Sequence, residues 1–159
     1  MRPQPEVTAV ADLVAGRLAT WRAHFPDRSD DWRRRVSRGL PPVVVDPRLL
    51  ARALDELADN AVKYSPAGSP LTLVATATDT GRVRIGVRDS GTGLDTARVE
   101  ELLGDFSQAD ASETRHVGGL GLGLGYVSRV ADCLGVTLTV DTQAGRGAEF
   151  ALELPVVPA

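Results

Sequence analysis

Apolar residues recur at helical spacing from Val7 to Trp21, where Val10, Leu13, Val14, Leu18 and Trp21 form one stripe. The pattern predicts an amphipathic helix that Pro26 and the acidic stretch Asp27 to Asp31 bring to an end. A short strand is expected over Trp32 to Ser37. Leu40-Pro41-Pro42 then turns the chain, Val43-Val44-Val45 reads as a brief strand, and Asp46-Pro47 has the form of an N-cap followed by proline at the first helical position. The helix that follows carries Leu50, Leu54, Leu57 and Ala61 on its inner face until Ser65-Pro66-Ala67-Gly68 stops it.

Leu71 to Thr78 and Arg82 to Arg88 alternate apolar and polar residues around Asp79-Thr80-Gly81, the signature of a β-hairpin. Asp89 stands where the second strand ends. Thr96 to Leu103 predicts a short helix, and Gly104 to Val117 is polar and aperiodic. Leu122 to Leu134 returns to helical spacing and is closed by Gly135. Val136 to Asp141 and Ala148 to Leu154 finish the pattern as a hairpin around Gly145-Arg146-Gly147. Strands and helices interleave into an antiparallel or mixed sheet with one helical layer, an α/β (α+β) two-layer sandwich.

Composition narrows the class. The 159 residues, 43% hydrophobic and 25% charged, suit one domain with a real core that is poor in aromatics. No apolar stretch approaches the roughly 20 residues needed to cross a bilayer, and Met1-Arg2-Pro3-Gln4-Pro5 lacks the apolar centre of a secretion signal, so a cytoplasmic domain is expected. A single cysteine, Cys133, excludes an internal disulfide and reads as a buried small side chain; two histidines without Cys/His spacing argue against structural zinc. The net charge of −3 gives no support to nucleic acid as a partner, and Arg33, Arg34 and Arg35 read as solvated arginines entering a strand.

Three segments carry chemistry. Glu56, Asn60 and Lys63 or Tyr64 are spaced i, i+4 and i+7 or i+8, which stacks them on one helix face beside the buried stripe. A neutral amide oxygen coordinates Mg²⁺ without repelling nearby phosphates, which suits Asn60 to an ion shared with a nucleotide. Lys63, the only lysine of the chain, would meet phosphate as a point charge. An ordinary polar helix face is the alternative reading. Asp89 runs directly from a strand into Ser90-Gly91-Thr92-Gly93-Leu94, placing a carboxylate at the floor of a cleft. A buried carboxylate needs a donor, which the exocyclic amine of adenine provides and the carbonyl of guanine does not; a turn aspartate capping its own backbone is the alternative.

The third segment is Gly118-Gly119-Leu120-Gly121-Leu122-Gly123-Leu124-Gly125. A flexible linker is rarely punctuated by leucines that need burial. A dinucleotide fingerprint would require a preceding strand and a βαβ unit, and the Gly-x-x-x-x-Gly-Lys pattern is absent. What remains is a phosphate-facing loop feeding a helix N-terminus, where backbone N–H groups approach an anion closely and the dipole adds roughly +0.5 charge.

Together these segments resemble the ATP-binding domain of sensor histidine kinases. Leu57-Ala58-Asp59-Asn60-Ala61-Val62-Lys63-Tyr64-Ser65-Pro66 resembles the N box, Asp89-Ser90-Gly91-Thr92-Gly93-Leu94 the G1 box, and Phe106-Ser107-Gln108-Ala109-Asp110 the F box. Gly119-Leu120-Gly121-Leu122-Gly123-Leu124 is similar to the G2 box, and Gly145-Arg146-Gly147-Ala148-Glu149-Phe150 to the closing hairpin. The resemblance spans about residues 7 to 156, with five boxes in order.

The resemblance implies a Bergerat fold, a mixed, mostly antiparallel sheet packed against three helices, with residues 104–118 as an ATP lid. It implies that Asn60 holds Mg²⁺, that Lys63 and Tyr64 approach phosphates and base, and that Asp89 hydrogen-bonds adenine. Gly91, Gly93, Leu94 and Phe106 would shape the pocket, Gly119, Leu120, Gly121, Leu122, Gly123 and Leu124 the phosphate side, and Arg115 would touch the γ-phosphate. Two departures stand out. Glu56 lies where many kinases carry Asn or His and where ATPase relatives carry a water-activating Glu, and Ala148 lies where relatives often place Ser or Thr. Glu56 would serve as a general base, as a polariser of the acceptor imidazole, or as a second group at the ion.

Neither His24 nor His116 has the setting of a phosphoacceptor. The expectation is therefore the catalytic half of a kinase, monomeric by itself, with a dimerisation and phosphoacceptor domain and a response regulator as partners and a parent protein that is dimeric and membrane-anchored. Two other functions fit the same residues: a serine kinase of the anti-sigma-factor type, and an ATPase using Glu56.

Overall fold

A computed structural model describes residues 2–91, 118–143 and 147–157. The short helix expected over 96–103, most of the lid and the tip of the closing hairpin lie outside the described residues.

The first helix, α1 (Val10–His24), begins later and runs further than its apolar stripe predicts. Val7 belongs instead to a strand, β1 (Glu6–Thr8), which pairs antiparallel with β3 (Val43–Val45) and leaves the Val7 side chain 68% exposed. Three residues this short carry no periodicity of their own, so the partner strand decides their conformation. At the other end the Phe25 N–H still bonds the Trp21 carbonyl, and only Pro26, without an N–H, closes the ladder. Pro26–Asp31 then forms a 3-10 turn where the sequence indicated only a helix stop.

Strand β2 (Trp32–Val36) has Trp32 buried against Trp21, with ring centroids 4.9 Å apart, while Arg33, Arg34 and Arg35 are exposed as expected. Helix α2 (Pro47–Tyr64) is capped as the sequence predicts: Oδ1 of Asp46 accepts from the N–H groups of Arg48 and Leu49 at 3.0 and 3.3 Å. Its Oδ2 accepts from the N–H of Gln4 at 2.8 Å, tying the entering chain to the same cap. Leu50, Leu54, Leu57 and Ala61 are buried, and α2 ends at Ser65, which is held extended by Pro66.

Five strands form the main sheet in the order β2, β4 (Leu71–Ala77), β5 (Val83–Asp89), β7 (Gly147–Leu154), β6 (Thr137–Gln143). The β2–β4 pair is parallel and the others antiparallel, so the sheet is mixed and mostly antiparallel. Alternation sorts its faces. Val83, Ile85 and Val87 join the core with Leu71, Leu73, Phe150 and Leu152, whereas Arg84 and Arg88 face outward and pair across the register with Glu153 and Glu149. The helices cover the inner face.

Helix α3 (Gly118–Leu134) packs against α2 and takes in the glycine run from its first residue, four positions earlier than the predicted start at Leu122. It closes as predicted at Gly135, whose φ of +69° needs no Cβ; the N–H groups of Gly135 and Val136 return to Asp132 and Ala131. Cys133, expected to be buried, is half-buried in this last turn. Beyond β7 the chain returns to β3: the Val44 N–H bonds the Pro155 carbonyl, the Val157 N–H bonds that of Pro42, and Val43 bridges Val156. Strand β3 thus lies between β1 and residues 155–157.

Replacing Asp46 with alanine is expected to destabilise the domain by about 1 kcal/mol near neutral pH, or somewhat more because Gln4 loses its acceptor as well. The N–H of Gln4, then those of Leu49 and Arg48, outweigh burial and hold this carboxyl below its ordinary pKa. Its contribution is therefore complete above the unfolded-state value of about 3.9 and fades as pH falls through the lower folded value. Urea unfolding of both proteins across pH checks this: the gap should hold steady from neutral pH to about pH 5 and close in acid.

Candidate functional site

Asp89 is the last residue of β5, and the alternation that sends Val83, Ile85 and Val87 to the helix-covered side sends its carboxylate there too. It is only 7% exposed. Oδ1 accepts from the N–H of Gly91 at 2.8 Å, so the self-capping turn and the buried carboxylate, read as alternatives from the sequence, coexist. Burial raises the Asp89 pKa above the usual carboxylate range, against the opposing pull of the Gly91 and Ala148 N–H groups and of the Arg28 and Arg88 charges. The group is thus ready to exchange its poor solvation for a ligand donor.

Two glycines let the chain close around this corner. A Cβ on Gly91 would overlap the carbonyl oxygen of Tyr64, and one on Gly147, whose φ is +92°, would overlap the carbonyl of Asp89. The Asp89–Gly91 turn is therefore seated on the final residue of α2, one helical turn beyond Asn60. Sequence placed these segments 25 or more residues apart; the fold brings them into contact.

Asn60 is 4% exposed, and among the described residues neither its Oδ1 nor its Nδ2 has a hydrogen-bond partner. A buried primary amide left in this state costs about 1–3 kcal/mol. Its donor set is what a hydrated Mg²⁺ takes: a neutral oxygen acceptor for the ion and an amide N–H₂ for a ligand oxygen. The residue fits the ion that its position suggested.

The other residues of the helix face divide. Nζ of Lys63 pairs with Asp59 at 2.8 Å, half-exposed, and the hydrogen bond that it donates to this carboxylate raises its pKa. Tyr64 is 44% exposed. Glu56 is half-buried and borders a cavity of about 250 Å³ between α1 and α2, with Trp21, His24, Phe25, Asp55 and Asp59 also on its wall. A position one turn before Asn60 thus also adjoins the neighbouring helix, on a wall where Asp55 is held by Arg17 and by the Trp21 indole N–H and Asp59 by Lys63.

On the phosphate side, the backbone of Gly119, Leu120, Gly121, Leu122 and Gly123 is helical, and Leu124 is fully buried in the core. Helix α3 is fixed to α2 partly by the guanidinium of Arg52 over the Tyr126 ring, 4.9 Å from its centroid. Gly93, Leu94, Phe106 and Arg115 lie outside the described residues. Ala148 contributes through its backbone N–H, which no side chain at that position alters. Among the described residues there is no group of three His, Cys, Asp or Glu side chains able to hold a metal, and no helix long and apolar enough to cross a membrane.

Comparison with known proteins gives a consistent set of likenesses. The profile of the family described as histidine kinase-, DNA gyrase B-, and HSP90-like ATPase matches residues 45–158. A sensor histidine kinase, GacS of Pseudomonas protegens, is 38% identical over 118 residues, and the adaptive-response sensory kinase SasA of Synechocystis is 28% identical over 148. These matches take in 70% and 93% of this chain but only 12% and 38% of the relatives, so the chain spans well under half the length of either. The crystal structure of full-length ShkA in complex with AMPPNP superimposes over 100% of the chain and 32% of its own, with a TM-score of 0.77 and 29% identity. The catalytic domain of the histidine kinase ThkA matches over 100% of both chains with a TM-score of 0.74; at 17% identity it speaks for the fold.

Replacing Asn60 with leucine, which keeps its branching and number of heavy atoms, is expected to leave the ligand-free domain at least as stable where the site takes the bulkier methyl groups, and up to about 1–3 kcal/mol more so, because the unpartnered amide is removed. Thermal unfolding without nucleotide checks this. A clear drop in melting temperature would mean that the carboxamide has partners within the folded protein or that the methyl groups overfill its site.

Proposed function

Because this chain belongs to the family of histidine kinase-, DNA gyrase B- and HSP90-like ATPases, we propose that it binds Mg·ATP and presents the γ-phosphoryl group to a histidine on a separate helical domain. The observation that carries this reading is the contact between α2 and the β5 turn, which brings a buried carboxylate and an unpartnered buried amide to one corner. One suits the edge of adenine, the other the ion on its phosphates.

Asp89 in its ionised form would accept a hydrogen bond from the exocyclic amine, while Gly91 lets the turn that holds this carboxylate sit against the Tyr64 carbonyl. Asn60, with Glu56 one turn away, would hold Mg²⁺, which when bound neutralises phosphate charge. Lys63 would reach phosphate by leaving Asp59, an exposed pair worth little. The glycine run at the start of α3 offers phosphate a close approach to backbone N–H groups. Residues 104–118, with Arg115 and Phe106, would close over the nucleotide, and Gly93 and Leu94 would complete the base pocket. The work is positioning and charge neutralisation rather than covalent chemistry.

The names of the relatives, sensor kinases, favour histidine over serine as acceptor. Glu56, beside Asp55 that Arg17 and Trp21 engage and Asp59 that Lys63 engages, is the carboxylate at this cavity left to accept the N–H of a neutral incoming imidazole and so orient its other nitrogen, a role we favour over activating water. A phosphoacceptor domain and a response regulator follow as partners, in a cytoplasmic setting.

Calorimetry with ATP and magnesium on the wild type and on Asp89→Asn tests the reading. Loss of a hydrogen bond to a charged group predicts about 1.5–3 kcal/mol, or binding weaker by roughly 10- to 150-fold. Since the Asp89 pKa is raised, wild-type affinity should fall on acidification from a pH above the ordinary carboxylate value of about 3.9. The ligand-free variant should be no less stable at neutral pH, because stability tied to a raised carboxyl declines as pH climbs through its folded pKa. Equal ATP affinity in both proteins would remove Asp89 from the base site.

A further inference from the structure

Arg28, in the 3-10 turn after α1, is 6% exposed, a burial that a guanidinium tolerates only when fully engaged. Its Nε donates to the Asp31 carboxylate. Nη1 donates to the carbonyls of Val62 and Ser65 at 3.2 and 3.3 Å, and Nη2 to the Ser65 hydroxyl at 3.1 Å and the Ser69 carbonyl at 3.2 Å. Asp31 also accepts from the N–H of Gly68, and the Ser65 hydroxyl donates to the carbonyl of Ala61. One side chain therefore ties a carbonyl in the last turn of α2, that of Val62, to those of the C-cap Ser65 and of Ser69 beyond it, a role a planar fork fills and an ammonium does not.

Between the two anchored carbonyls lies that of Tyr64, the surface on which Gly91 rests. Gly91 in turn donates to Asp89. We propose that Arg28 is a positioning residue for the base-binding corner: by fixing the last turn of α2 it fixes the seat of Gly91 and the direction of the Asp89 carboxylate. This rests on the reading of that corner as the adenine site. The positive charge also favours ionised Asp89, together with Arg88 on β5 and against the larger effect of burial.

A base-edited ligand separates positioning from mere stability. ATP and purine riboside triphosphate differ only by the amino group that Asp89 would receive, so the ratio of their dissociation constants reports that one hydrogen bond. In the wild type ATP should bind at least about tenfold tighter than the analogue. In Arg28→Gln, at a temperature where circular dichroism shows it folded, the ratio should shrink to about two or less while the analogue itself binds within roughly threefold of wild type. Arg28→Lys keeps the charge without the fork and should give an intermediate ratio; it also serves if the glutamine variant does not fold. A preserved ratio in either folded variant overturns the role of Arg28. Failure of the wild type to prefer ATP over the analogue overturns the adenine reading, and the proposal with it.

Discussion

Asp89 ends a strand whose alternate side chains point into the core, so the period of the strand carries a carboxylate to a place fit for a valine. That placement is the constraint on which the rest of the site depends. Burial raises the carboxyl pKa, two backbone N–H groups partly offset this, and glycines at 91 and 147 let the flanking chain approach where a Cβ would overlap a carbonyl. Asn60 repeats the arrangement on α2, with a buried amide lacking partners among the described residues. Both side chains oppose folding and both suit a nucleotide, so the core made by the leucines of α2 and the inner faces of β4, β5 and β7 must hold them in position.

The sequence was most legible where structure is local. The Asp46-Pro47 cap, the leucine stripe of α2, the hairpin at Asp79-Thr80-Gly81 and the glycine stop at 135 each depend on residues within a turn or two of one another, and each stands as read. The mixed sheet and the positions of Asn60 and Asp89 followed from the same patterns together with the ordered boxes. Distant partners decided what was missed. Strand β1 exists because of β3, some 37 residues on in register, and Arg28, besides the nearby Asp31, has its acceptors on residues 62–69. An arginine between aspartates, in Asp27-Arg28-Ser29-Asp30-Asp31, reads from sequence as one more surface charge.

Two residues show how a motif underdetermines a side chain. Lys63 has a place on the expected helix face but takes Asp59, four residues back, as its partner, since an i, i+4 pair is available without any ligand. Glu56 borders both the line of Asn60 and the cavity against α1, because a helix position midway between two faces is shared by both neighbours. Leu124, the last leucine of the glycine run, is fully buried in the core.

Strand β3 has a further consequence. It is gripped on one side by residues 6–8 and on the other by residues 155–157, so the chain enters and leaves through the same three valines. Tension applied across those two points would bear first on short flanking segments held to a common post. The corner at Asp89 is joined to that post through β7, which continues into residues 155–157 and pairs with β5 at Asp89, so the anchorage of the two flanks and the bed in which a nucleotide would lie share one strand.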